Sequence, residues 1–308
     1  MDVAICIVSH NTRDLLLACL DSVGRQAGAS EVVVVDSAST DGSAEAARAA
    51  FPQAKVIAAQ ENLGFGAGCN RGIRATKGEA VLLLNADTRL TAGALEAMVR
   101  ALCADEGVAL VGPRLVRPDG SLQRSCHAFP TLATAFFGYA GLSKAFPRSR
   151  LLGRYDMSWW DHGERRKVDW VSGACMLVRR SALEQVGLFD EGYYMYAEEC
   201  DLCFRLRRAG YGVVYEPAAE VVHHEGASTT QRWPEMVMAS HRSTFRFFRK
   251  HYGRGSELAL RGIVFAGNLA RLPAAAVGWV VRPRARGELT QRLAIYRGAV
   301  RLSLGLEA

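Results

Sequence analysis

No positively charged stretch precedes the first apolar run. The chain enters a buried-strand pattern directly at MDVAICIVSHN, so no signal peptide is read and the protein is expected in the cytoplasm. Cysteine pairing patterns are lacking as well. The eight cysteines are scattered, several inside apolar runs such as Ile5 to Val8, which argues for reduced core thiols rather than a disulfide framework. Cys200 and Cys203 form a CxxC, but no second Cys or His pair stands at zinc-site spacing, and on a helix the two would share one face. Helix-turn-helix, zinc-finger and RNA-binding signatures are missing, so nucleic acid is not an expected partner. The stretch NLGFGAGCN, Asn62 to Asn70, fails as a dinucleotide fingerprint because its third glycine comes too early.

What is present is an ordinary globular composition, 49% hydrophobic and 22% charged over 308 residues, enough for one large α/β domain and an appendage. Charge is unevenly placed. Residues 232–308 hold 14 Lys+Arg against 4 Asp+Glu, a net +10, which leaves −3 for residues 1–231 out of the total +7. Such a basic tail points to an anionic surface as partner, and without nucleic-acid signatures that surface is a membrane.

Up to about residue 115, short apolar runs alternate with helical stretches: Val3–Val8, Asp14–Val23, Glu31–Val35, Ser43–Ala50, Val56–Ala58, Gly66–Ala75, Ala80–Leu84, Ala92–Leu102 and Val108–Val111. That alternation predicts a mostly parallel sheet flanked by helices. Residues 113–166 show no clear period. Order returns at Val168–Arg179, then a helix after Glu198-Glu199, then short strands at Gly212–Tyr215 and Val221–His223. Helices are expected at Glu235–His251, Glu257–Val281 and Gly287–Leu304. Gly262 to Val281 is largely apolar, but Asn268, Arg271 and Pro273 lie in its middle. Burying that arginine in a spanning helix would cost roughly 2.5–3.5 kcal/mol. A helix lying in the membrane interface, flanked by Arg261 and by Arg282, Arg284 and Arg286, or one packed on the main domain, fits better.

Ligands of parallel sheets bind beyond the carboxyl ends of the strands. Asp36 closes one strand, where its carboxylate could accept hydrogen bonds from ribose hydroxyls or a base N–H. The glycines of Asn62 to Asn70 offer either a close-approach loop for a nucleotide or a tight turn. Asn85-Ala86-Asp87 follows an apolar strand, which delivers Asp87 into the crevice as a Mg²⁺ or Mn²⁺ ligand or as a helix cap. His223 ends another strand and is a candidate second ligand. Glu198 and Glu199 stand between an aromatic run and a helix, either as the site of a general base or as acids complementing the helix dipole.

Taken in order, IVSHNTRDLLLACLDSV, VVVVDSASTDGS, NLGFGAGCNRGI, LLLNADT, VDWVSGACMLVRR, FDEGYYMYAEECDLCFR and VVHHEGAS resemble an inverting family 2 glycosyltransferase of the GT-A fold. The likeness runs from about Val3 to Ser228 and is similar to bacterial rhamnosyltransferase-type enzymes of cell-envelope polysaccharide assembly. It implies a GT-A domain over residues 1–231, followed by a helical extension over residues 232–308 for which membrane association is the expectation. Ser9, Asn11, Asp36, Ser39 and the Gly66 to Asn70 loop would hold the nucleotide, and Asn85 takes the place of the first aspartate of a DxD motif. Asp87 and His223 would bind a divalent cation, Mg²⁺ or Mn²⁺. Trp170, Gly173 and Ala174 align with the wall between donor sugar and acceptor. Glu199 aligns with the catalytic base, usually the aspartate of a Glu-Asp pair, with Glu198 in reserve. The donor implied is dTDP-rhamnose, or another UDP- or GDP-sugar. The acceptor implied is a glycan or a polyprenyl-diphosphate-linked sugar, with the tail on the inner face of the plasma membrane. Two other classes compete: a nucleotidyltransferase, for which the loop Val8 to Asp14 offers only Arg13 to a triphosphate, and a non-catalytic binding module, in which Asp87 and the acid pair would be dispensable.

Overall fold

The structure, a computed structural model, describes residues 1–224 and 233–306, so the end of VVHHEGAS and the expected boundary at 231/232 lie outside the described residues. The N-terminal part alternates as its sequence dictates: β1 (Val3–Ser9), α1 (Arg13–Gly24), β2 (Ala29–Asp36), α2 (Ser43–Ala50), β3 (Lys55–Ala58), α3 (Gly64–Arg74) and β4 (Ala80–Asn85). After a hairpin-like β5 (Thr88–Leu90) come α4 (Ala94–Cys103), β6 (Val108–Val116) and two short strands, β7 (Leu122–Gln123) and β8 (Cys126–His127). Helices α5 (Leu132–Tyr139) and α6 (Leu142–Ala145) precede β9 (Arg166–Val168), β10 (Trp170–Val171), β11 (Cys175–Arg179), α7 (Arg180–Val186), α8 (Glu198–Arg208) and β12 (Gly212–His223).

The main sheet runs β3-β2-β1-β4-β11-β6-β12-β5. Its first four strands are parallel, β11 is reversed between β4 and β6, and β12 is again parallel to β6. The expected mostly parallel α/β sheet is present, as a mixed sheet. β1 and β4 are buried on both faces, which is why they read as unbroken apolar runs. The two short strands expected near residues 212 and 221 are one strand, β12, whose register against β6 shifts between Glu216 and Glu220. Pro217 lies in that shift, where no N–H is needed for the ladder.

The helix expected over Gly66–Ala75 is α3, which begins at Gly64 and so takes in the glycines of the expected close-approach loop. A side chain on Gly68 would stand 2.8 Å from Val8 Cγ1, and one on Gly72 would stand 2.0 Å from Cys6 Sγ. The glycines therefore let α3 lie flat on β1. Gly64 starts the helix at φ +74°, with Tyr194 O only 2.3 Å from where a Cβ would be. Gly72→Ala is expected to destabilise by about 1–3 kcal/mol. Thermal unfolding checks it, and Gly72→Ala combined with Cys6→Ala should fall short of the sum of the two single effects.

The chain forms two compact units: Met1–Phe129, Asp161–Tyr194 and Glu198–Ser228 make the first, and Pro130–Trp160, Met195–Ala197 and Thr229–Ala308 the second. These units differ from the expected division into 1–231 and 232–308 in where residues 130–160 fall. Residues 130–160 belong with the C-terminal helices because α5 packs on α9 (Trp233–Leu269). Tyr139 of α5 fills the space beside Gly267, where a Cβ would meet its ring at 2.5 Å. α9 is kinked at Gly253 (φ 86°, ψ 169°) and is followed by α10 (Leu272–Val281) and α11 (Arg286–Ser303). The helix expected over Glu257–Val281 is therefore two, parted at Ala270 and Arg271, with Pro273 in the first turn of α10, where its missing N–H is harmless. By length and composition, the helical run Trp233–Val281 is long and apolar enough to cross a membrane.

Candidate active site

The strand register brings distant motifs to one edge of the first unit. Ser9 pairs with Asp36 across β1 and β2, and Val8 with Asn85 across β1 and β4. Asn85 N–H donates to Ala174 O at 3.0 Å, and His224 N–H donates to Asp87 O at 2.9 Å. The loops after β1 and β2 are laced together. Asn11, at φ 51°, donates its N–H to Ser39 Oγ at 2.9 Å and accepts from Thr40 N–H at 2.8 Å. A His10 ring nitrogen donates to Ser37 O, and Ser9 Oγ meets Thr12 Oγ1 at 3.0 Å. Asp36 accepts Ser39 N–H at Oδ2, while its buried Oδ1 has no hydrogen-bond partner. A buried acceptor left open costs free energy unless a ligand donor meets it.

Asp87 and His223 lie together, Oδ1 to Nε2 at 3.3 Å, and both are buried. His223 Nδ1 meets Gln123 Oε1 at 2.9 Å, and because that oxygen can only accept, Nδ1 carries the proton. In the neutral ring, Nε2 then turns a lone pair toward Asp87 Oδ1, which has no hydrogen bond. Two electron-pair donors facing one another at this distance suit a divalent cation between or beside them. Among the described residues no group of three or more His, Cys, Asp and Glu side chains gathers. Such a pair suits Mg²⁺ or Mn²⁺ that takes its remaining ligands from substrate phosphates and water. Asn85 adds no charge here, and its carbonyl instead accepts from Thr88 Oγ1 at 2.7 Å, tightening the turn that carries Asp87.

The two adjacent glutamates have different surroundings. Glu198 is 3% exposed and packs beneath α3, where a Cβ on Gly66 would lie 3.6 Å from its own Cβ. Burial, and then the neighbouring charge of Glu199, push its carboxyl well above the usual range. Glu199 is only partly buried as a residue, although its Oε2 is enclosed and unpartnered. Burial raises its carboxyl too, but the N–H groups of Glu199, Gly173 and Cys200 and the nearby His127 draw it part of the way back. Those N–H groups include the open end of α8, where a carboxylate is favoured. Immediately before the pair, Tyr196 and Ala197 hold left-handed φ values of 66° and 65°, a strained approach that aims the helix start. Asp201, the third acid of this turn, is consumed internally: it accepts from Arg205 Nε at 2.8 Å and from Tyr193 O–H.

A family model described as "Glycosyl transferase family 2" matches residues 4–187. The chain belongs to glycosyl transferase family 2. The N-acetylglucosaminyl-diphospho-decaprenol L-rhamnosyltransferase of Mycobacterium tuberculosis is 36% identical over 235 residues, 72% of this chain and 76% of the relative. Rhamnosyltransferase WbbL of Escherichia coli is 39% identical over 83 residues, 27% of this chain and 31% of the relative. In fold, the chain is similar to the mannosyltransferase PcManGT of Pyrobaculum calidifontis, solved in complex with GDP-Man and Mn2+. The TM-score is 0.57 at 20% identity, over 97% of this chain and 86% of that one. The fold is GT-A, and the protein is a sugar-transferring enzyme.

Several expected site residues of this family 2 glycosyltransferase have other tasks. Gly66 and Asn70 sit inside α3 and face inward. Asn70 accepts Phe189 N–H and donates to Phe189 O and Glu191 Oε1, which pins the segment leading toward the acid pair. Trp170 is 9% exposed and donates its indole N–H to Ala128 O, so it is a backing plate rather than a wall surface. Stacked on it, with centroids 4.3 Å apart, is His127, which motif reading passed over. Nothing in RSCHAF marks this histidine; only the pairing of β8 with β10 places it opposite Trp170. Gly173 is required by Phe65, whose Cε1 would lie 2.8 Å from a Cβ there. Cys200 and Cys203 are buried thiols, raised by burial, Cys203 to about 12, which makes them core residues rather than a redox pair.

Proposed function

We propose that this glycosyltransferase moves L-rhamnose from dTDP-rhamnose to a hydroxyl of a polyprenyl-diphosphate-linked N-acetylglucosamine, with inversion. UDP- and GDP-sugars are the alternative donors. The observation that carries the chemistry is Glu199: a carboxylate with raised proton affinity and an unpartnered, enclosed Oε2, set at the start of a helix beside Gly173 and His127. Choice of sugar and acceptor is supported by the 36% identical mycobacterial rhamnosyltransferase.

Glu199 takes the proton of the acceptor hydroxyl as that oxygen attacks the anomeric carbon. The new C–O bond forms on the face opposite the breaking bond to the diphosphate, which leaves with the electron pair, so configuration inverts. Asp36 Oδ1 accepts a hydrogen bond from the ribose or the base. Asp87 and His223 would hold Mg²⁺ or Mn²⁺, which when bound neutralises charge on the departing diphosphate. Glu198 stays protonated and supports the fold beneath Glu199. Gly173 and Ala174 form part of the wall between donor sugar and acceptor. The reaction takes place at the cytoplasmic face of a membrane, where the basic C-terminal helices engage anionic lipid.

Incubating the purified protein and Mg²⁺ or Mn²⁺ with dTDP-, UDP- and GDP-sugars and the lipid-linked acceptor tests the reading. dTDP-rhamnose should be consumed preferentially, and NMR of the product should show the opposite anomeric configuration. A retained configuration would overturn single displacement, and preferential use of another donor would overturn the rhamnose assignment.

A further inference from the structure

Helix α10 has two unlike sides. At about 100° per residue, Pro273, Ala274, Val277, Val280 and Val281 fall on one contiguous arc, and all five are exposed. Val277, Val280 and Val281 keep 61%, 63% and 64% of their surface open. The opposite side carries Leu272, Ala275 and Trp279: Ala275 is buried, and at the edge of that side Leu289 of α11 comes within 3.5 Å of where Gly278 would carry a Cβ. The outward arc holds no charge.

Cations begin where the arc ends. Arg282, Arg284 and Arg286 are all exposed, and the acid in the first turn of α11, Glu288, is paired with Arg292 at 2.6 Å. Trp279 lies on the face away from the arc, its indole N–H donating to Thr290 Oγ1 and its ring under the Arg286 guanidinium at 4.9 Å, which ties α10 to α11 and leaves the valines outward.

α10 taken alone is too short to span. α10 is about 15 Å long, about half of a bilayer's hydrocarbon core. The preceding helix cannot extend it, because the chain turns at Arg271, whose guanidinium donates to Tyr139 O at 2.9 Å and lies over the Tyr139 ring. A second copy paired with its α10 parallel would bring the same arginines together. Anionic lipid satisfies both zones at once, with phosphates on the arginines and acyl chains on the valines.

We propose that α10 and its turn into α11 form a monotopic membrane anchor, in which Val277, Val280 and Val281 enter the acyl boundary and Arg282 and Arg284 bind lipid phosphates. This deepens the membrane part of the proposed function and rests on that part alone, not on the sugar transferred.

Flotation of the full chain with vesicles tests it. The protein should float with phosphatidylcholine–phosphatidylglycerol vesicles. Val280→Asp with Val281→Asp should lower partitioning by about tenfold or more on these vesicles. Arg282→Gln with Arg284→Gln should lower it about tenfold on the anionic vesicles and leave pure phosphatidylcholine unaffected. Circular-dichroism melting should be unchanged in both pairs, since the sites are exposed. If the wild type does not float, the membrane reading itself fails. If it floats and the valine pair floats equally, only the assignment to α10 fails. A wild-type dimer, seen by sedimentation and broken by the valine pair, would make a second copy the occupant and overturn the anchor.

Discussion

Glu199→Gln is expected to lower kcat by about 10²–10⁴-fold while leaving nucleoside diphosphate affinity nearly unchanged. The amide keeps the shape of the side chain and still accepts from N–H groups such as that of Gly173, but it cannot take a proton. Glu198→Gln should behave differently. Glu198 is 3% exposed and packed beneath α3, and burial and the charge of Glu199 raise its carboxyl well above the usual range, so a neutral amide of nearly equal volume fits the same place. Its kcat should stay within about threefold of wild type, because neither volume nor charge state changes much. The pH profile gives a second readout. Burial raises the Glu199 carboxyl above its ordinary range, and the base acts only when ionised. Activity should therefore fall as pH drops through that raised value, with an acid limb lying above the ordinary carboxylate range. Steady-state kinetics at saturating donor and acceptor checks all three points, and equal losses in the two variants would sink the division of roles.

Asp87→Ala is expected to weaken metal-dependent binding of the nucleoside diphosphate by about a hundredfold or more, measured by calorimetric titration with and without Mn²⁺ or Mg²⁺. The reason is the sparse donor set: among the described residues Asp87 and His223 face one another without a third acid or histidine. Loss of the carboxylate leaves a single neutral imidazole. His223→Ala should cost less, since the charged partner remains. Binding without metal should change little in either variant, because Asp36 and the Asn11–Ser39 lacing lie on other strand ends. Metal-dependent affinity that survives in Asp87→Ala would place the cation elsewhere.

Where several candidate residues lie was legible because strands of a parallel sheet deliver their last residues to a common edge. Asp36, Asn85 and Asp87 follow apolar runs and lie where those runs end. His223 was legible for the same reason, at the end of β12. The role of the glycines of NLGFGAGCN stayed open in the sequence because close approach to a ligand and close approach to another strand demand the same missing Cβ. Only Cys6 and Val8 under Gly72 and Gly68 distinguish the two. Trp170 was misplaced for a related reason: an indole can line a site or support its lining, and the Ala128 carbonyl and the His127 ring settle which.

The sequence alone determined the alternating order of β1 to β4 and their helices, the family, and the presence of an acid pair at the start of α8, since each depends on local periodicity or on contiguous motifs. Tertiary structure decided the different surroundings of the two acids. Neighbours in sequence on a helix start point about 100° apart, so Glu198 is buried under α3 while Glu199 is only partly buried as a residue. It also decided that residues 130–160 join the C-terminal helices, because nothing local in that segment encodes the α9 surface that covers it. Arg271 followed the same rule. In sequence it is a charge inside an apolar run, and only Tyr139, 132 positions away, gives it a partner and ends the helix there.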